Sequence, residues 1–158
     1  MRRRQFGRVL GMLAAAPLAA CVGTPYSLGP APVAVQERRY ALASDVLFDF
    51  GSATLRYGAA AALSEILAQI RQVYPYPAIK VEGHTDSIGS PQANLALSQR
   101  RAESVRQWLL ANGIPPAGIT TEGFGETRPV APNTLNGADN PAGRQQNRRV
   151  ELIATPFQ

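Results

Sequence analysis

The sequence predicts an α/β domain of the two-layer α+β sandwich type, with a four-stranded mixed sheet covered by helices on one face. Three observations carry this. Two stretches space their apolar residues with helical periodicity, and prolines close both of them. Four short stretches alternate apolar and polar residues, as half-buried strands do. The helical stretches lie between strands, giving the order β-α-β-α-β-loop-β, so each helix has a sheet at hand against which to bury its apolar stripe.

The first strand is expected from Asp45, where Val46, Phe48 and Phe50 alternate with Leu47 and Asp49 before Gly51-Ser52. Residues 58–74 follow as a helix, with Leu63, Ile66, Leu67, Ile70 and Val73 on one face, and Pro75 and Pro77 ending it. Ile79, Val81 and Gly83 alternate with Lys80 and Glu82 in a second strand, and a loop runs from His84 to Ser90. Pro91 suits the first turn of a long helix that reaches Ala111, where Asn112-Gly113 close it and Pro115-Pro116 prevent resumption. Ile119 to Phe124 form a third strand. A loop rich in Gly, Pro and Asn covers residues 125–146, and Arg148 to Ala154 form the last strand, with Val150, Leu152 and Ala154 on one face.

Residues 45–158 thus form the domain, and the preceding segment has a different character. The chain of 158 residues carries a formal charge of +5, which invites a nucleic-acid reading. Arg2, Arg3, Arg4 and Arg8 account for most of it, and outside residues 1–20 only 12 basic side chains face 11 acidic ones. A nearly neutral remainder has no basic field for a polyanion, so nucleic acid is not an expected partner. Residues 1–20 fit a secretory signal, with a positive start and an Ala-rich apolar run from Val9 to Ala20 that is too short to span a bilayer. Leu18-Ala19-Ala20-Cys21 looks like a lipobox, which makes Cys21 the expected lipidation site, carrying acyl chains that include palmitate. Cys21 is the only cysteine, so no intrachain disulfide forms. Val22, where Asp would signal retention in the inner membrane, leaves outer-membrane sorting as the default. Arg3-Arg4-Gln5-Phe6 resembles the twin-arginine pattern and also fits a generic basic start, so both export routes stay open. Residues 21–44, with Pro25, Pro30 and Pro32, are expected to form a tether after the lipidated cysteine, spanning about 27 Å as a coil.

The chemistry-bearing residues are Gly83-His84-Thr85-Asp86, then Gly89, Asn94, Leu97-Ser98, Arg101-Ala102 and Val105, then Gly123, Gly125-Glu126 and Pro129, and last Asn147-Arg148-Arg149-Val150. In this order they resemble the OmpA-like C-terminal domain family of outer-membrane porins, peptidoglycan-associated lipoproteins and flagellar stator proteins, over about residues 44–155. The residues themselves point the same way. Asp86 follows a strand, while Asn94, Ser98, Arg101 and Val105 step by four, three and four along one helix face. That face begins polar and turns apolar toward Leu109, as expected for a polar pocket at the rim of a core. Asp86 and Arg101 then present opposite charges across a cleft suited to a zwitterion, the carboxylate taking an ammonium and the guanidinium fork taking a carboxylate.

The resemblance implies non-covalent binding of peptidoglycan, whose diaminopimelate carries such an amino and carboxylate pair, by a protein held at the periplasmic face of the outer membrane. It implies that Asp86 and Arg101 hold this ligand, and it also implicates Thr85, Asn94 and Arg148. Each has a plainer reading. For Asp86 it is a loop cap or a structural pair with Arg101, for Asn94 an exposed first-turn residue, and for Arg148 a brace on a neighbouring carboxylate. Arg100, Arg106 and Arg149 are expected to be solvated, His84 to brace its loop, and Trp108 to pack at the core or its rim.

Enzymatic activity is not expected. Lipidation leaves no thiol, a single histidine without cysteine partners makes a poor metal site, and no Gly-x-Ser-x-Gly elbow is present. No cofactor is implied. A protein-interaction role in envelope assembly, of the Tol type or in a secretion machine, is the alternative. The stretch Ser87-Ile88-Gly89-Ser90-Pro91-Gln92-Ala93-Asn94 departs from the Arg-Gly-Thr and Glu-Tyr-Asn pattern of the Tol-associated lipoprotein, which argues for the broader OmpA-like lipoprotein group.

Overall fold

The computed structural model describes residues 36–157; Cys21, the signal segment and most of the expected tether lie outside them. The elements are β1 (Arg38–Ala43), α1 (Ser44–Leu47), α2 (Ala59–Val73), β2 (Pro77–Gly83), α3 (Pro91–Ala111), a 3₁₀ turn (Pro116–Gly118), β3 (Ile119–Gly123), β4 (Thr134–Leu135), β5 (Ala138–Asp139), α4 (Pro141–Asn147) and β6 (Arg149–Pro156). Four strands form one mixed sheet in the order β1-β6-β2-β3. β6 runs antiparallel to both neighbours, while β2 and β3 are parallel and joined through α3, the kind of crossover a parallel pair requires.

Period two sorts the sheet. Ile79 and Val81 of β2, with Val150, Leu152 and Ala154 of β6, point to one face and are buried. Against them pack Leu63, Leu67 and Ile70 of α2 and Ala102, Val105 and Leu109 of α3, in a single hydrophobic cluster. The opposite face carries Arg39, Lys80, Glu82 and Glu151, joined by ion pairs. α3 is the best-defined helix from sequence to structure. Ser90 caps it by accepting from the Ala93 N–H at 3.2 Å, Pro91 occupies its first turn, and its buried side is Asn94, Ser98, Arg101, Ala102, Val105 and Leu109.

The start of the domain differs from expectation. No strand forms at residues 45–51. Leu47 and Phe48 are both buried although adjacent, while Val46 and Phe50 are exposed, and Phe48 makes only an isolated bridge to Leu55. A strand cannot bury two successive side chains on one face. Here the chain turns through α1 and drops both residues into the core. The first strand lies earlier, in part of the expected tether, where Tyr40 and Leu42 sit opposite Leu152 and Val150 of β6. The expected loop at 125–146 also holds structure: the β4–β5 hairpin and α4, whose cap is Asn140 accepting from the Gly143 N–H at 3.3 Å.

The strand directions give the domain two poles. β1 begins beside the end of β6, with Arg38 opposite Ala154, and the Gln36 carbonyl just before it accepts the Tyr74 hydroxyl. β1, β2 and β3 all end at the other pole, at Ala43, Gly83 and Gly123. Gly83 and Gly123 are adjacent in the register, and α3 rests directly on them. A Cβ on Gly83 would sit far inside contact distance of the Ser98 carbonyl oxygen, and one on Gly123 would lie 2.6 Å from Ser98 Oγ. Glycine at both positions is what lets α3 bring its polar first turns over the strand ends.

Candidate functional site

All five site residues expected from sequence line one cavity of about 280 Å³ at this second pole: Thr85, Asp86, Asn94, Arg101 and Arg148. They arrive on three supports. Thr85 and Asp86 follow β2, with the Thr85 N–H donating to the Gly125 carbonyl at 2.8 Å. Asn94 and Arg101 project from α3, and Arg148 joins α4 to β6. Thr85, Asp86, Asn94 and Arg101 are buried, while the Arg148 side chain is half-buried.

Asp86 and Arg101 share the cavity, and each is held by other partners. Asp86 Oδ2 accepts from Arg148 Nη1 at 2.7 Å, and Arg144 Nε stands 3.7 Å from the same oxygen. The other carboxylate oxygen, Oδ1, accepts the Ile88 N–H at 3.1 Å. Arg101 is held elsewhere. Its Nε–H donates to the Ser52 carbonyl at 2.9 Å, and its guanidinium lies 5.2 Å from the centre of the Phe48 ring. Burial lowers the pKa of Arg101 from its ordinary value, with the Arg148 charge acting in the same direction and Asp86 against it. The cavity lining therefore combines one bonded carboxylate with Arg100, Arg101 and Arg148, an environment suited to an anionic ligand group.

Asn94 is a buried bridge and not an exposed first-turn residue. Its Nδ2 donates to Glu126 Oε2 at 2.6 Å and to the Asp86 carbonyl at 3.2 Å, tying α3 to the loop after β3. Ser98 adds a second tie, accepting the Gly125 N–H at 2.9 Å. The Thr85 hydroxyl is buried without a hydrogen-bond partner among the described residues, so a polar group remains to be satisfied at the cavity wall.

Sequence reasoning missed Arg144, which pairs with Asp139 and approaches Asp86. Its signal in the sequence is weak, because the Gly, Pro and Asn content of residues 125–146 hides the short helix α4. Arg149, expected to be solvated, is buried, and its Nε donates to Glu151 Oε1 at 2.6 Å. Residues 149 and 151 share a strand face, and that spacing was the available sign.

His84 is buried beneath Phe124, with ring centroids 5.5 Å apart, and both its nitrogens lack hydrogen-bond partners among the described residues. Burial pushes its pKa down to about 4, with Arg149 adding to the effect and Glu151 and Glu82 opposing it. Glu82, His84 and Glu151 bring potential metal-ligand atoms within 4.8 Å of one another. Their carboxylates are already engaged, Glu82 by Lys80 at 2.7 Å and Glu151 by Arg149 and by Arg39 at 3.2 Å. The cluster is thus internally neutralised.

With this geometry in view, similarity to known proteins defines the class. Residues 47–147 match the model of the OmpA family, and the chain belongs to that family. It is 42% identical over 144 residues to outer membrane protein A of Yersinia pseudotuberculosis, covering 88% of this chain and 39% of that protein. The chain therefore corresponds to well under half the length of that relative. Among solved structures, the peptidoglycan-associated lipoprotein of Burkholderia pseudomallei is 33% identical with a TM-score of 0.57, covering 69% of this chain and 87% of that one. A MotB-like protein of Desulfovibrio vulgaris is 30% identical with a TM-score of 0.65, covering 77% and 75%.

Proposed function

We propose that this chain is a non-catalytic peptidoglycan-binding lipoprotein that ties the outer membrane to the cell wall. The observation that carries the reading is the single cavity in which a buried carboxylate, Asp86, and a buried guanidinium, Arg101, stand on separate supports. Diaminopimelate offers an ammonium and a carboxylate on one stereocentre. Asp86 takes the ammonium, and the Arg101 fork, tethered to protein through Nε, takes the carboxylate. The Thr85 hydroxyl and Arg148 add donors at the wall. The relatives support the assignment, since one is a peptidoglycan-associated lipoprotein and another an outer membrane protein.

The two poles suit such a tie. A lipid on Cys21 holds one end in the membrane, the chain enters β1 at the pole away from the cavity, and the cavity faces the wall. Co-sedimentation with purified sacculi tests the function. The wild-type protein pellets with the sacculi and leaves their turbidity unchanged. Clearing of the suspension would instead mark a lytic enzyme, and a protein that stays in the supernatant would not be a wall binder.

A further inference from the structure

Two exposed apolar residues stand on the rim of the cavity, and each is held there by one of its two central charges. Phe50, 93% exposed, sits at the tip of a turn closed by the Ser52 N–H on the Asp49 carbonyl at 3.0 Å, with Gly51 at φ +69°. The Ser52 carbonyl in the same turn receives Arg101 Nε–H, and Phe48, two residues earlier, lies against the same guanidinium. Arg101 therefore fixes the turn that presents Phe50. Ile88, 55% exposed, donates its N–H to Asp86 Oδ1, and Gly89 at φ +104° turns the chain after it.

Phe50 and Ile88 line the cavity together with Ala93 and Leu97. A lone exposed apolar side chain is ordinary. Two of them on one polar cavity, each anchored by a buried charge, make a preorganised apolar surface next to an ion-binding centre, the usual composition of a ligand site.

We propose that Phe50 and Ile88 form an apolar clamp for the methyl group of the alanine that adjoins diaminopimelate in the stem peptide. This rests on the peptidoglycan reading and extends it beyond the charged head group. The aliphatic character of Ile88, Ala93 and Leu97 selects a methyl group over a sugar, whose hydroxyls would lose water without gaining partners against this wall.

The test titrates the purified full chain in detergent with free diaminopimelate and with the tetrapeptide Ala-Glu-diaminopimelate-Ala. The wild type binds the tetrapeptide more tightly than the free amino acid. Phe50→Ala and Ile88→Ala each weaken the tetrapeptide roughly tenfold and leave free diaminopimelate within about twofold. Melting temperatures stay at the wild-type value because both side chains are exposed, and Phe50→Leu retains most of the affinity. Unchanged tetrapeptide binding in both variants overturns the clamp. Equal weakening of both ligands also overturns it, since the residues would then be shaping the head-group site. Phe50-dependent binding of glycan strands stripped of their stems would assign the surface to sugar and overturn it too. A wild-type protein that binds neither peptide nor diaminopimelate removes the peptidoglycan reading itself.

Discussion

Asp86 is bonded by Arg148, not by Arg101, through an Nη1–Oδ2 contact of 2.7 Å. The two arginines thus have separate duties. Arg148 fixes the carboxylate, while Arg101 is fixed by the backbone of Ser52 and keeps the rest of its guanidinium at the cavity.

The pairing predicts energetic coupling. Arg148→Ala removes the bonded cation from a buried carboxylate, leaving it the Ile88 N–H and the more distant Arg144, at a cost of about 1–3 kcal/mol. Removing Asp86 in the same chain relieves much of that cost. A double-mutant cycle by chemical denaturation should therefore return a coupling of roughly 1 kcal/mol or more, and additive losses would contradict the pairing.

Gly83→Ala should damage both fold and site. Its Cβ would collide with the Ser98 backbone, which belongs to a helix that cannot move away without opening the cavity. Overpacking of this kind costs about 1–3 kcal/mol or more. A drop in melting temperature together with lost sacculus binding is expected, and a variant of wild-type stability would show that α3 does not approach the strand end this closely.

Acid should weaken the domain through His84. Its pKa falls from 6.5 to about 4 on folding because burial penalises the charged ring and the Arg149 charge adds to that. The unfolded chain therefore binds more protons between those values, and stability declines as pH falls from 6.5 toward 4, by about 3 kcal/mol in all. The groups facing His84 are Glu82 on β2, Glu151 and Arg149 on β6, and Arg128 from the loop after β3. The Glu151 carboxyl adds a loss at lower pH. Burial works against its ionisation, but the Arg149 hydrogen bond and charge win and lower its pKa, so its contribution fades as pH drops through that lowered value. Denaturation midpoints measured between pH 7 and pH 4 should fall for the wild type and stay flatter for His84→Leu. Parallel curves for the two proteins would assign the acid sensitivity elsewhere.

Lipid anchoring is tested separately. Cys21→Ser should leave an unprocessed precursor without lipid. Each buried CH₂ of acyl chain contributes roughly 0.8 kcal/mol, so losing the acyl chains should release the protein from the outer-membrane fraction. Normal processing and fractionation of that variant would defeat the lipoprotein reading.

The helices and the shared face of the candidate site residues on α3 were legible because those residues obey strong local rules. Asn94, Ser98, Arg101, Val105 and Leu109 follow helical spacing, and all five are buried on one side of α3. Pro91, Asn112 and Gly113 punctuate that helix where chain geometry demands it. The first strand was illegible for an equally physical reason. β1 lies at the edge of the sheet among the described residues, beside β6, and is half-exposed, so its apolar alternation is faint. Val46, Phe48 and Phe50 mimic a strand, yet the burial of Leu47 beside Phe48 belongs to a turning chain. The Asp86–Arg148 pair joins residues 62 positions apart, a partnership set by the register of β2 against β6 that no local pattern records.

The central claim is that Arg101 reads the carboxylate of diaminopimelate, and competition for sacculus binding tests it most directly. A stem peptide containing diaminopimelate should displace the wild-type protein from sacculi, whereas the same peptide with lysine in that position, lacking the distal carboxylate, should compete poorly. Arg101→Lys should weaken sacculus binding substantially in a folded domain, because an ammonium keeps the charge but loses the planar fork. Loss of one charge-assisted contact, worth about 1.5–3 kcal/mol, corresponds to a drop of roughly ten- to more than a hundredfold. Equal competition by the two peptides would contradict the assignment.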